Sequence, residues 1–243
     1  MSQEWFADLY DDFRMRTGFG SIPAEQTHKE VDFLWDVLSL NSGSKVLDLF
    51  CGAGRHSAEL MRRGCVTTGI ELNSSYVELA RERVTKPAQI VSGDVRYVDF
   101  GSGFDAAIIM FHSFGYFSDA EDRQVLEKVH RSLRKGGRFL IEILNRDWLL
   151  ANFRERDEKI VDEIKIIETR RFDPLTSRNH FRIERHSATG VTTKEGRWRL
   201  YSPHEIKNLL EGIGFQFLAA YSSLDKQPLT KDTRLMRLLT QRV

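Results

Sequence analysis

The sequence predicts an α/β fold: a seven-stranded, mostly parallel sheet with helices on both faces, plus a small antiparallel sheet inserted after the fifth strand. Three observations carry that reading. Short apolar runs alternate with amphipathic stretches from residue 45 to residue 143, the rhythm of strand and crossover helix. One junction, VLDLFCGAGRHSAEL at residues 46–60, runs from an apolar stretch through Gly52 and Gly54 into a helical pattern. Beyond residue 145 the period shortens to two, with charges set between apolar residues as in a sheet with one wet face. No repeat, low-complexity segment or evident linker interrupts the 243 residues, which read as a single domain, 1–243.

The elements follow in order. Residues 1–40 read as N-terminal helices: Trp5, Phe6, Leu9, Tyr10 and Phe13 recur at helical spacing. Val31, Phe33, Leu34, Val37 and Leu38 do so again after the break at Gly18-Phe19-Gly20. A buried strand is expected at 45–50, a helix at 55–63 and a strand at 65–72. Residues 74–84 form the next helix, with Asn73 placed to cap it, before a short strand at 89–92. The run FDAAIIM predicts a strand at 104–110, an amphipathic helix follows at 121–133, and the turn Lys135-Gly136-Gly137 leads into a strand at 138–143.

After Asn145, residues 159–172, 178–187 and 191–201 read as three antiparallel strands, joined at Asp173-Pro174 and Thr189-Gly190. This insertion, 159–201, is expected to serve as a substrate cap or as a dimer interface. Ser202-Pro203-His204-Glu205 then opens a helix with a capping box and a proline in its first turn. The last two strands fall at 215–222 and 234–241.

Composition narrows the function classes. Thirty-six basic and 35 acidic residues leave a net charge of +1, which gives no general pull toward nucleic acid or acidic membranes while permitting a local basic patch. Cys51 and Cys65 lack CxxC spacing, which argues against zinc or a disulfide scaffold, and no metal site is expected. The start, MSQEWFADLY, has neither a basic region nor an apolar core of the signal type, and no apolar run approaches 18 residues. The expected setting is a soluble, cytoplasmic protein.

The glycine turn allows two cofactors. Gly52-Ala53-Gly54-Arg55-His56-Ser57 is an imperfect GxGxxG, and Glu71 lies about 20 residues on, so a dinucleotide has to be considered. Glu71 does not discriminate, because any ribose needs such an acid at the end of the second strand. Asp48 does. A pyrophosphate at a helix N-terminus wants backbone N–H groups and no carboxylate close by, whereas a cofactor carrying an ammonium and a sulfonium welcomes one.

VLDLFCGAGRHS resembles the first motif of class I S-adenosyl-L-methionine (SAM)-dependent methyltransferases at Asp48, Gly52 and Gly54, and departs from it at Phe50, where the family usually has glycine. Ile70-Glu71 resembles the family's ribose-binding acid. Ser92-Gly93-Asp94-Val95 resembles the stretch in which an aspartate reaches the adenine amino group and the next N–H a ring nitrogen. Phe111-His112-Ser113-Phe114-Gly115-Tyr116 stands at the post-strand-four motif, and Leu133-Arg134-Lys135-Gly136-Gly137 at the turn before strand five. The resemblance covers roughly residues 40–145 and implies a Rossmann-like fold, SAM as cofactor and cofactor contacts from Tyr10, Asp48, Cys51, Gly52, Ala53, Gly54, Glu71, Leu72, Asp94, Val95 and Phe111.

Methyl transfer from a sulfonium needs alignment, exclusion of water and, for some acceptors, removal of a proton. His112 is the candidate catalytic base, with packing or a hydrogen bond to substrate as its alternative role. Cys51 reads as a small filler rather than a nucleophile; no Pro-Cys motif of the cytosine C5-methyltransferases is present. Tyr10 reads as core or as a lid aromatic over the cofactor, while Arg14 and Arg55 either meet the SAM carboxylate or face solvent. In the cap, Arg171, His180, Arg182, His186, Trp198 and Tyr201 are the candidates for acceptor binding. The layout resembles the sugar-amine N-methyltransferases, so a small-molecule nitrogen or oxygen acceptor is expected. The alternative is an RNA methyltransferase, favoured by Arg170-Arg171 and the 178–185 charges. Against it stand the near-neutral charge and the absence of Asn-Pro-Pro-Tyr.

Overall fold

A computed structural model describes residues 5–243, the side chain of Phe19 excepted. Residues 1–4 of the expected N-terminal segment lie outside the described residues. The first helical pattern resolves into two short helices, α1 (Trp5–Leu9) and α2 (Asp12–Thr17), because Asp11 between them is an N-cap that accepts the Arg14 N–H at 3.0 Å. Next come α3 (Ala24–Val37), β1 (Lys45–Leu49), α4 (Arg55–Arg62), β2 (Val66–Glu71), α5 (Ser74–Arg83), β3 (Gln89–Ser92) and β4 (Phe104–Ile109). Asn73 caps α5 as expected, accepting the Tyr76 N–H. A capping box of Ser118 and Glu121 starts α6 (Asp119–Ser132). The helix runs straight into β5 (Leu133–Leu144), where the expected Gly136-Gly137 turn is an irregularity inside the strand, across which the register against β4 shifts.

The sequence pattern missed α7 (Arg146–Ala151) and one strand of the inserted sheet. That sheet has four strands, β6 (Arg156–Val161), β7 (Ile164–Asp173), β8 (Arg178–Ser187) and β9 (Gly190–Arg199), all antiparallel. The stretch 159–172, expected as one strand, is broken by a two-residue hairpin turn at Asp162 and Glu163, with φ of 49° and 62°. Two positive φ values in succession are the primed turn that asparagine and glycine usually build, so an Asp-Glu pair gave no turn signal. The chain then re-enters the core through α8 (Pro203–Glu211), which carries the expected Ser202–Glu205 capping box, β10 (Phe215–Tyr221) and β11 (Leu235–Arg242).

The main sheet has the order β10-β11-β5-β4-β1-β2-β3, with β11 antiparallel to both neighbours and the remaining pairs parallel. Strand alternation sorts the core into two layers. Leu47, Leu49 and Ile109 pack with Val125, Leu126 and Val129 of α6 and with Ile206 and Leu210 of α8. Val46 and Ile108 pack with Val31 and Leu34 of α3 and with Leu60 of α4. Among the described residues, no helix is long and apolar enough to cross a membrane.

The N-terminal helix joins the two sheets. Trp5 meets Phe181 of the inserted sheet edge-to-face at 5.4 Å and Tyr116, ahead of α6, at 5.5 Å. Gly196 of β9 makes this possible, since a Cβ there would lie 2.2 Å from the Trp5 ring. Gly196→Ala is therefore expected to displace α1 and to destabilise the protein by about 1–3 kcal/mol in chemical denaturation. Wild-type stability in that variant would mean that Trp5 is not wedged between the sheets.

Candidate active site

A pocket lies beyond the carboxyl ends of β1 to β4, where connections leave β1 and its neighbours toward opposite faces and open sheets bind ligands. Asp48 and residues 50–53 reach it from β1, residues 70–73 from β2, 93–95 from β3, and Met110, Phe111 and Ser113 from β4. Phe6, Ala7 and Tyr10 line it from the N-terminal side, Tyr116 and Phe117 from the segment before α6. The pocket is a cleft open to solvent, with about 1030 Å³ of empty space when its mouth is included.

Glu71 is held from two sides. Its Oε2 accepts the Gly52 N–H at 2.9 Å and its Oε1 the Asn73 N–H at 2.8 Å. Burial raises its carboxyl pKa, and the N–H groups of Asn73, Gly52 and Leu72 oppose that rise. Each oxygen keeps a lone pair for hydroxyl donors in the pocket. Gly52, at φ 56°, opens on free space: a Cβ there would meet nothing within 4 Å, so a ligand can approach its backbone. Gly54 is different. It lies off the pocket lining, where a Cβ would come within 3.0 Å of Ala80, so this glycine lets α4 pack against α5. Phe50 holds a left-handed φ of 55°, the conformation for which glycine is the usual choice, and its ring packs edge-on to Tyr116 at 5.9 Å. Ala53 and Leu72 line the mouth of the same loop.

Asp48 is only 1% exposed and accepts a hydrogen bond from Ser57 at 2.7 Å; burial raises its carboxyl pKa, with His56 the main opposing charge. Beside it, Glu30 binds both His56, at 2.8 Å, and Arg55. Burial would raise Glu30, but the hydrogen bonds from His56 and Arg55 prevail and bring its pKa down to about 2. Arg55 lines the pocket with its guanidinium 5.0 Å from the Phe111 ring centroid, and its Nη2 is buried without a partner. A cation fixed by two neighbours, with one donor left over at the pocket wall, suits an incoming carboxylate. Arg14 does not line the pocket; its field acts on Tyr10 and Tyr116.

Burial, then Asp48 and Glu71, holds the Cys51 thiol well above its ordinary pKa, which removes it as a nucleophile. Asp94 lines the pocket, but its carboxylate is clamped by Arg96, at 2.6 Å from Nη2 and 3.0 Å from Nε. Arg96 also donates to Glu121 at 3.0 Å and lies over the Phe117 ring at 4.5 Å. A group reaching Asp94 thus meets an acid already in a salt bridge. Val95 is buried beside it. The Tyr10 and Tyr116 hydroxyls share a hydrogen bond of 2.5 Å, and Asn73 Nδ2 donates to the Tyr10 carbonyl at 2.7 Å. Tyr76 Oη–H donates to the Asp11 carbonyl at 3.2 Å. Two α5 side chains thereby staple the N-terminal helices over the pocket.

His112 falls outside the lining. The Leu144 N–H donates to its Nδ1 at 3.0 Å, so the neutral ring carries its proton on Nε2, an atom buried without a partner. Burial, aided by Arg234, lowers its pKa to about 4. A ring whose free acceptor is occupied and whose other nitrogen holds a proton is a donor, and cannot serve as a base in this arrangement. Of the other cap candidates, Arg182 pairs with Glu184 and Glu195, and His186 with Glu184. Trp198 packs edge-on against His112, and the buried Tyr201 Oη–H donates to Asp122 at 3.4 Å. Arg171 and His180 line a second groove, which shares Tyr116 and Phe117 with the first. Reasoning from the sequence did not identify the wall of Phe6, Tyr116 and Phe117; Tyr116-Phe117 directly precedes a capping box, where an aromatic pair reads as helix anchoring.

Fold and pocket together define a nucleoside-cofactor enzyme built on a doubly wound sheet. Residues 46–137 match the methyltransferase domain family. YqeM of Bacillus subtilis (strain 168), named as a methyltransferase, is 25% identical over 97% of this chain and 95% of its own. The dTDP-3-amino-3,4,6-trideoxy-alpha-D-glucopyranose N,N-dimethyltransferase of Streptomyces venezuelae is 27% identical over 65% of this chain and 68% of its own. Among solved structures, SAM-bound CalS10, an amino pentose methyltransferase from Micromonospora echinaspora, superposes with a TM-score of 0.70 at 18% identity, covering 96% of this chain and 97% of that one. Residues 46–137 therefore carry a methyltransferase domain, on a fold shared with SAM-dependent methyltransferases.

Glu71→Ala is expected to weaken SAM binding by about 1.5–3 kcal/mol in calorimetry, the worth of hydrogen bonds to a charged group. Unchanged affinity would place the ribose elsewhere.

Proposed function

We propose that the chain transfers a methyl group from SAM to the nitrogen of a small-molecule amine of the amino-sugar kind. The observation that supports nitrogen, and a baseless reaction, is the state of His112: neutral, proton on Nε2, Nδ1 already occupied. Bound SAM supplies an electrophilic methyl group on a positive sulfur. Glu71 would take the ribose hydroxyls, the backbone at Gly52 would leave room for the methionine portion, and Arg55 Nη2 would meet its carboxylate. Asp94 and Val95 border the adenine. Phe50, Tyr10 and Tyr116 present aromatic faces and hydroxyls toward the reacting end, excluding water and favouring the cation. Burial raises the Tyr10 and Tyr116 hydroxyl pKa values, so both stay protonated and joined in their shared hydrogen bond.

Such a site aligns an acceptor that already has a free lone pair. A neutral amine meets that condition; a hydroxyl, which must lose a proton as it attacks, does not. The sequence relative that acts on an amino sugar supports the same class. RNA finds no comparable support in the site.

The test is the pH dependence of kcat/KM with labelled SAM and a panel of amino sugars. The reactive form is the deprotonated amine, so the rate should rise tenfold per pH unit below the acceptor's own pKa and level above it. His112→Asn should leave that midpoint in place. A midpoint near neutrality that belongs to the enzyme and vanishes in His112→Asn would restore the histidine as the base.

A further inference from the structure

The outer face of the inserted sheet holds a row of two arginines flanking a histidine, and among the described residues no ion pair neutralises the two guanidinium groups. Arg171 of β7 is directly opposite His180 of β8, which is directly opposite Arg197 of β9. Among the described residues, none of the three enters a hydrogen bond or an ion pair, whereas the neighbouring cations are all committed. Arg170 pairs with Asp157 and Glu168, Arg178 with Asp119, and Arg182 with Glu184 and Glu195. Of the acids lining the same groove, Glu195 is committed to Arg182, Glu121 to Arg96, and Asp173 to Thr176 and the Leu175 N–H, which leaves Asp8 on the opposite wall. Asp173 acts on the row only through space, and burial together with Arg171 and Arg197 depresses the His180 imidazole.

All three side chains line the second groove, which also includes Tyr116 and Phe117, the aromatic wall of the cofactor pocket. The groove therefore adjoins the cofactor pocket at Tyr116 and Phe117. Adjacent strands are about 4.8 Å apart, so the row spans roughly 10 Å, a reach suited to one phosphate or two linked ones. Guanidinium groups flanking an imidazole are donors matched to phosphoryl oxygens.

We propose that Arg171, His180 and Arg197 form an anion subsite that holds a phosphate or diphosphate group of the acceptor while its amine reaches the methyl group beyond Tyr116 and Phe117. This rests on the small-molecule amine reading for its biological meaning, but the subsite itself can be tested without turnover.

Inorganic diphosphate titrated into the full chain at low salt should bind saturably. Arg171→Ala and Arg197→Ala should each weaken it tenfold or more, and Arg171→Lys by less. SAM affinity, measured on the same preparations, should stay within twofold of wild type and shows that each variant is folded. Arg62→Ala, an exposed arginine of α4 outside the groove, should bind diphosphate as wild type does. No saturable binding, or equal loss in Arg62→Ala, overturns the subsite while leaving the methyltransferase reading intact. Bulk RNA bound at physiological salt and lost in the same variants would also overturn it, by making the row a nucleic-acid surface. In turnover, an amino-sugar phosphate should show a KM at least tenfold below that of the free amino sugar, and the gap should close in Arg197→Ala. A gap that persists there would place the phosphate elsewhere.

Discussion

The site depends on one carboxylate held in a bent loop. Glu71 ends β2, and the N–H groups of Gly52 and Asn73 converge on its two oxygens from the loops after β1 and β2. That convergence requires the β1 loop to turn back sharply, and Phe50, Gly52 and Gly54 all take positive φ to do so. The strain is local and the reward is preorganisation: a buried acid, already oriented, with acceptor capacity left for a ligand. Parallel pairing of β1 with both β2 and β4 fixes the position of every other group relative to this point.

From there the site extends outward through polar staples rather than apolar packing alone. Asn73 joins Glu71 by its backbone, α5 by its cap and Tyr10 by its amide. The lid over the cofactor pocket is thus tied to the same residue that fixes the ribose-type acid. On the other wall, Arg96 occupies Asp94 and lies over Phe117, so that side of the pocket is bordered by an ion pair lying on an aromatic ring. The inserted sheet joins this assembly through Trp5 and Arg178, which donates to the Phe117 carbonyl at 3.0 Å.

The core was legible because period and punctuation agreed: buried strands, glycine at the left-handed turns, and caps at Asn73 and Ser202. The first motif falls on the loop that lines the pocket, yet its two glycines do different jobs, one opening on the pocket and one packing helices, and spacing alone cannot separate them. Phe50 shows the limit from the other side. A phenylalanine where the backbone takes a glycine-like φ is visible only once the ring is seen against Tyr116. The β6–β7 turn was hidden because Asp162 and Glu163 lack turn chemistry. His112 stands at the expected place after β4, but its role depends on which nitrogen Leu144 occupies, a tertiary contact 32 residues away. The arginine–histidine row became significant only through strand register, which brings Arg171, His180 and Arg197 side by side from three separate stretches.

The most direct measurement is hydrogen exchange of the full chain with and without SAM. The account places the cofactor between the β1 and β2 loops and the N-terminal helices. SAM should therefore slow exchange at residues 50–54 and 71–73 and across 5–17, with 156–199 unchanged. Protection concentrated in 156–199, or none across 5–17, would contradict it.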